Sequence, residues 1–156
     1  MRHGILALVL VLSAATAAEA KPLYGTVGEV LEARTASDDA ARDRAEKFLK
    51  TADAAKARGN WSGAAKSYLE ASLDWPGTEA LSGLALALTR MDRSADGCKN
   101  GFRIKLSDLS NALSYMVLLT QLAESYGEPF DSTELREAVT EAQAETFSKI
   151  AACEKE

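Results

Sequence analysis

The chain has 156 residues and a formal net charge of −5, with 18 Lys and Arg residues against 23 Asp and Glu residues. Because the phosphates of a nucleic acid must be neutralised by clustered cations, an acidic chain without a basic run argues against a nucleic-acid partner. The length is enough for one domain with a core of its own and too short for two.

Residues 1–20 predict a secretory signal peptide. The segment opens with the basic Met1-Arg2-His3, continues with an apolar run over residues 4–12, and ends with the small residues of Ala18-Glu19-Ala20. These features place cleavage before Lys21 and imply export to a periplasm or out of the cell. The apolar run is shorter than the roughly 20 residues that span a bilayer, so we expect no transmembrane segment after cleavage. A retained signal anchor is the alternative.

Residues 21–36 predict a loose N-terminal arm. Pro22, Gly25 and Gly28 interrupt the scattered apolar residues, and no periodicity is sustained. At most a short helical turn is expected at residues 29–34.

A helical domain is predicted over residues 37–156. Its first helix starts at Ser37-Asp38-Asp39, where oxygen-bearing side chains can cap the free amides, and ends at Gly59. Asn60 caps the second helix, which is stopped by Pro76-Gly77. The inner faces of the two helices carry small and aromatic residues at spacings of three and four: Ala41, Ala45, Phe48, Ala52, Ala55, Ala64, Ala65, Tyr68 and Ala71.

Three further helices are predicted in the second half of the chain. The first is apolar nearly all round over residues 80–88, which predicts the most buried element. After a polar loop over residues 92–105, Ser107 or Asp108 caps a long helix to Tyr126 with a wide apolar stripe at residues 109–122. Asp131 and Glu134 predict a capping box for a last helix. No segment predicts a strand, so the fold class is all-α with about five helices.

Residues 45–78 resemble one tetratricopeptide repeat (TPR), a helix–turn–helix of about 34 residues. Small residues lie where its helices would touch, at Ala52, Ala64 and Ala71, and Pro76 closes the unit. A partial second unit follows. The resemblance implies a TPR-like right-handed stack of antiparallel helical hairpins, with the C-terminal helices capping the stack. An alanine-rich bundle with the same spacing by chance is the alternative.

The resemblance also implies a groove for a peptide, since ligands of this family lie against the first helix of each repeat. That groove could instead face solvent or hold the N-terminal arm. The outward positions that match are Glu46, Leu49, Asp53, Lys56, Ser82, Leu86, Thr89 and Arg90.

The two cysteines, Cys98 and Cys153, predict a disulfide, because an exported protein meets an oxidising compartment. Two buried thiols that never meet are the alternative. No metal or cofactor is expected. The single histidine, His3, leaves with the signal peptide, and a calcium-like loop starting at Asp92 has the cation Arg103 at its main ligand position.

The sequence predicts a binding protein and not an enzyme. Without histidine after cleavage, Ser–His or Cys–His nucleophilic catalysis has no base. We therefore expect an exported protein–protein interaction module, a small adaptor in cell-envelope assembly or secretion. Two alternatives stay open: a homo-oligomeric structural protein that associates through the stripe at residues 109–122, and a carboxylate-dependent hydrolase with two converging acidic side chains.

Overall fold

The structure is a computed structural model that describes residues 21–153, with residue 151 described by its backbone alone. The predicted signal peptide, residues 1–20, lies outside this part. The described residues are all-α, without a strand, as predicted. Six α-helices and a short 3-10 turn at Ser94–Asp96 follow one another: α1 Val27–Ala36, α2 Asp39–Ala57, α3 Trp61–Asp74, α4 Thr78–Arg90, α5 Cys98–Tyr126 and α6 Thr133–Cys153.

Helices α2 and α3 begin and end at the predicted local signals. The Asp38 side chain accepts a hydrogen bond from the Ala41 N–H at 2.7 Å, and the Asn60 side chain accepts one from the Gly63 N–H at 2.9 Å. Between the helices, Gly59 has a φ of 70°, a conformation that glycine adopts without steric cost.

The predicted contact between α2 and α3 is present. Ala52 and Ala64 are both fully buried and belong to the same core cluster, so the two helix backbones approach closely. Tyr68 fills the seam, and its hydroxyl donates to the Asp53 carboxylate at 2.6 Å. Burying these side chains stabilises the fold by about 25 cal/mol per Å² of apolar surface.

Helix α4 is the centre of the core, as its continuous apolar sequence predicts. It packs against α2, α3, α5 and α6. Gly83 lets α4 approach α3, because a Cβ there would lie 2.4 Å from the ring of Tyr68. The buried residues of α4 occupy most of its circumference: Ala80, Leu81, Leu84, Ala85, Leu86, Ala87 and Thr89.

The prediction of a loose arm at residues 21–36 is wrong. Residues 27–36 form α1, which starts at a capping box between Thr26 and Glu29. Val30 is fully buried, the Leu23 N–H donates to the Tyr115 hydroxyl at 2.7 Å, and the Tyr24 hydroxyl donates to a backbone carbonyl of α3. Sparse apolar residues are therefore enough, because Val30 lies in the core and Leu23, Tyr24 and Val27 pack against it.

Arg34 of α1 joins two turns of the chain. Its guanidinium donates to the Pro76 carbonyl at 2.9 Å and to both carboxylate oxygens of Glu128. The Thr78 hydroxyl donates to the same carboxylate at 2.5 Å. Through these bonds α1 holds the turn between α3 and α4 beside the turn between α5 and α6.

The predicted polar loop at residues 92–105 is largely helical, because α5 starts well before the predicted Ser107 or Asp108. The described residues have six α-helices and not five because α1 lies in the predicted arm. Helix α5 starts at Cys98, and Asp108 is a buried partner of Arg93 and not a cap. Gly101 is a packing residue, because a Cβ there would lie 2.4 Å from the Arg93 carbonyl oxygen. The last helix starts at Thr133.

Candidate functional site

Helix α6 packs against α4 and α5, and two of its carboxylates reach predicted groove residues. The Lys56 ammonium is 3.7 Å from the Glu134 carboxylate of α6, and an Arg90 guanidinium N–H donates to Glu141 of α6 at 2.6 Å. The eight predicted groove residues do not all line one cavity.

A cavity of about 240 Å³, which we call the groove pocket, lies at one end of α6, between α2, α4 and residues 130–135. Half of the predicted groove residues meet here. They are Asp53, Lys56, Ser82 and Leu86, and the pocket is completed by Tyr68, Glu79, Gly83, Phe130, Asp131, Glu134 and Leu135.

The groove pocket is acidic. Its four carboxylates are exposed and only Lys56 opposes them. The side-chain and backbone hydrogen bonds from Thr133 hold the pKa of Asp131 below its usual range. Burial, helped by the hydrogen bond to Asp53, raises the pKa of Tyr68, which keeps that hydroxyl a donor at neutral pH. The pocket can therefore receive a cationic group.

A larger cavity of about 600 Å³ lies at the other end of α6. We call it the C-terminal cleft, and it is enclosed by residues 89–94, residues 97–105 of α5, and residues 141–153 of α6. Its volume falls within the range of about 300–1,000 Å³ that is typical of ligand sites. Thr89 and Arg90 of the predicted groove line this cleft. Glu46, which is exposed, and Leu49, which is half-buried, line neither cavity.

The predicted cysteine pair closes one end of the C-terminal cleft. The sulfur atoms of Cys98 and Cys153 lie at disulfide distance, and their Cα atoms are 6.2 Å apart. The alternative of two separate thiols is wrong. The pair joins the first residue of α5 to the last residue of α6, so it fixes two walls of the cleft against each other.

Most charges around the C-terminal cleft are matched by ion pairs. The guanidinium of Arg93 donates to both oxygens of Asp108, which keeps the loop against α5, and Asp92 accepts hydrogen bonds from Ser94. The side-chain pairs are Arg90–Glu141 at 2.6 Å, Arg93–Asp108 at 2.7 Å and Lys149–Glu145 at 2.5 Å.

Lys105 differs from the other cations of the cleft. Its half-buried ammonium donates to the Thr89 carbonyl at 2.6 Å and to the Met91 carbonyl at 2.7 Å, at the C-terminal end of α4. Burial lowers its pKa, since water is displaced from around the charge. An ammonium has three donors, so one is left without a protein partner among residues 21–153.

Sequence reasoning missed Phe102 and Lys105 because it placed both in a loop. Phe102 lies seven residues before the buried Leu109, in phase with the apolar stripe of α5. Extending the helical period backwards from Leu109 would have found them.

The carboxylates with shifted pKa values do not favour a general acid. Hydrogen bonds from Ser94 lower the pKa of Asp92, and the Arg34 guanidinium lowers the pKa of Glu128. A carboxyl that donates a proton near neutral pH requires the opposite shift. Within residues 21–153, no three His, Cys, Asp or Glu side chains gather as a metal site would require.

Two findings complete the description of the chain. None of the helices within residues 21–153 combines the length and the apolar character that crossing a bilayer would demand. No protein-family model, no curated protein and no solved structure matches this chain.

Proposed function

We propose that this protein is an exported, non-enzymatic module that binds another protein or a peptide and serves as a small adaptor in cell-envelope assembly or secretion. Residues 1–20 direct its export, to a periplasm or out of the cell. The single observation that carries the proposal is the groove pocket, in which Asp53, Lys56, Ser82 and Leu86 converge on one cavity.

A TPR-like stack provides the scaffold in this proposal. Three observations support it: the alanine contact between α2 and α3, the position of α4 against α3, and the packing of α6 on α4 and α5. Residues 45–78 are the first unit, α4 and α5 the partial second, and α6 covers the end of the stack. Covering an apolar face in this way is what terminal units of a repeat array do.

The partner presents a basic side chain to the groove pocket. The volume of about 240 Å³ suits one long side chain and not a whole ligand. Exposed carboxylates on three sides favour Lys or Arg, and the aliphatic stem of such a residue can lie against Leu86 and Phe130. Neutral or acidic segments would leave these carboxylates without a counter-charge.

An affinity experiment with a charge-reversal variant tests the proposal. The chain is immobilised and exposed to an extract of its own compartment, with Glu79→Lys as the pocket variant and Glu32→Lys, an exposed residue of α1, as the matched control. We expect wild type and control to retain the same partner in equal amounts. The amount retained by Glu79→Lys should be at least about tenfold lower. Equal retention by all three chains, or no specific partner, would overturn the proposal.

Self-association is a second candidate function, and one observation favours it. Leu106 is 44% and Val117 56% exposed on the outer side of α5. Most of the predicted interface is used within the monomer, because Leu109, Leu119 and Leu122 are buried. Sedimentation of wild type and Val117→Glu over a range of concentrations tests this candidate. If the wild-type protein is a monomer at every concentration, the candidate is removed.

A further inference from the structure

We infer that the C-terminal cleft binds a small amphipathic carboxylate, a molecule with an apolar body and one anionic head, and that the Lys105 ammonium anchors the head. This site is separate from the groove pocket and does not depend on the protein partner proposed above. It joins a cavity of suitable volume to Lys105, the cation of the cleft that has no carboxylate partner within residues 21–153.

The floor of the cleft suits the apolar body. Phe102 is half-buried, and Met91 and Ala142 are almost fully buried beneath the cavity. The disulfide adds two sulfur atoms to the wall. A hydrocarbon or aromatic group on this floor would remove apolar surface from water, at about 25 cal/mol per Å².

The charges of the cleft select a single negative charge. The guanidinium of Arg93 is engaged by Asp108, and Arg90 and Lys149 face carboxylates of α6. Lys105 donates only to carbonyls, and its third donor can reach a ligand in the cleft that it lines. A second negative charge on the ligand would meet Glu141 and Glu145 without a free cation to balance it.

The surroundings of Lys105 strengthen such a contact. Charge-assisted hydrogen bonds are about twice as strong as neutral ones, and partial burial limits competition from water. Desolvation lowers the pKa of Lys105 in the unliganded protein, and a bound carboxylate would favour the charged form. Binding should therefore raise the pKa of this amine, which gives a readout besides affinity.

Calorimetry with a chain-length series tests the inference on the purified, disulfide-intact protein. The probes are acetate, hexanoate, octanoate and decanoate, with decanol as the neutral analogue of decanoate. We expect affinity to rise with chain length and decanoate to bind at least about tenfold more tightly than decanol. Lys105→Met should abolish the preference for the acid, whereas Lys105→Arg should retain it.

Two further measurements keep the test decisive. If Lys105→Met fails to fold, the comparison of decanoate with decanol on wild type and Lys105→Arg stands alone. Phe102→Ala should weaken the binding of decanoate and of decanol alike, so that decanoate still binds more tightly than decanol. No binding of any probe at millimolar concentration, equal binding of decanoate and decanol, or tighter binding of an apolar pentapeptide with a free carboxylate would overturn the inference.

Discussion

Replacing Gly83 by alanine should destabilise the protein, although glycine in the middle of a helix is normally a weak point. Gly83 lies within α4, where the Tyr68 ring crosses from α3. An added Cβ would lie 2.4 Å from Cε1 of that ring, 2.5 Å from Cζ and 2.6 Å from Cδ1. Tyr68 cannot move away freely, since its ring is buried and its hydroxyl is held by Asp53.

The magnitude follows from two opposing effects. Alanine in a helix interior gains about 0.5–1 kcal/mol over glycine. Extra volume in a well-packed core costs about 1–3 kcal/mol. We expect a net loss of about 1–2 kcal/mol in the free energy of unfolding, or a fall of about 3–8 °C in the midpoint of thermal unfolding.

Urea unfolding monitored by circular dichroism is the assay, and Gly28→Ala is the matched control. Gly28 lies in α1, and its nearest atom would be 3.8 Å from the new Cβ, an ordinary contact. The control should be stabilised by up to about 1 kcal/mol. In a Tyr68→Ala background, Gly83→Ala should also become stabilising. Stabilisation by Gly83→Ala in the wild-type background would refute the reasoning.

Three other changes give direct tests. Glu128→Gln should cost about 1–3 kcal/mol at pH 7, because the carboxylate of Glu128 loses its charged bonds to Arg34. Since Arg34 lowers the pKa of Glu128, the native stabilisation is complete above about pH 4.3, the ordinary value for Glu, and is lost as the pH falls through the lowered pKa. The difference between the two proteins in urea titrations should therefore shrink on acidification. Cys98→Ser should cost up to about 4 kcal/mol for a link between residues 55 positions apart, and should match wild type in reductant. Gly59→Ala should cost about 1 kcal/mol in thermal unfolding because its φ is 70°.

The parts of the fold that local chemistry determines could be read from the sequence. Asn60 caps the helix that it was predicted to cap, and Asp38, within the predicted start Ser37-Asp38-Asp39, caps the helix before it. Gly59 lies between those helices. The small residues Ala52 and Ala64 predicted a close helix contact because nothing else fits there. In each case the interaction that determines the structure either joins residues a few positions apart or recurs at helical spacing along one face of a helix.

The errors arose where a distant partner decides the structure. Gly101 was assigned to a loop, and glycine does weaken helices. It nevertheless lies within α5, where it packs against the carbonyl of Arg93. Asp108 was assigned as a cap, but its carboxylate is satisfied by Arg93 fifteen positions away. Residues 21–36 were predicted to be a loose arm because no periodicity is sustained there. Nothing local indicates that Val30 reaches the core.

The geometry of the predicted groove also depends on contacts between distant residues. Asp53, Lys56, Ser82 and Leu86 line the groove pocket, and Thr89 and Arg90 line the C-terminal cleft. The two cavities differ in charge. Carboxylates prevail in the groove pocket, whereas the cleft contains the Lys105 ammonium, which has no ion pair with any described carboxylate.

Glu134 and Glu141 form exposed ion pairs with Lys56 and Arg90, and exposed pairs contribute little to stability. The buried Leu135, Ala138 and Val139 attach α6 to the core instead. Weakening both pairs should therefore change the charge of the cavities and leave α6 in place.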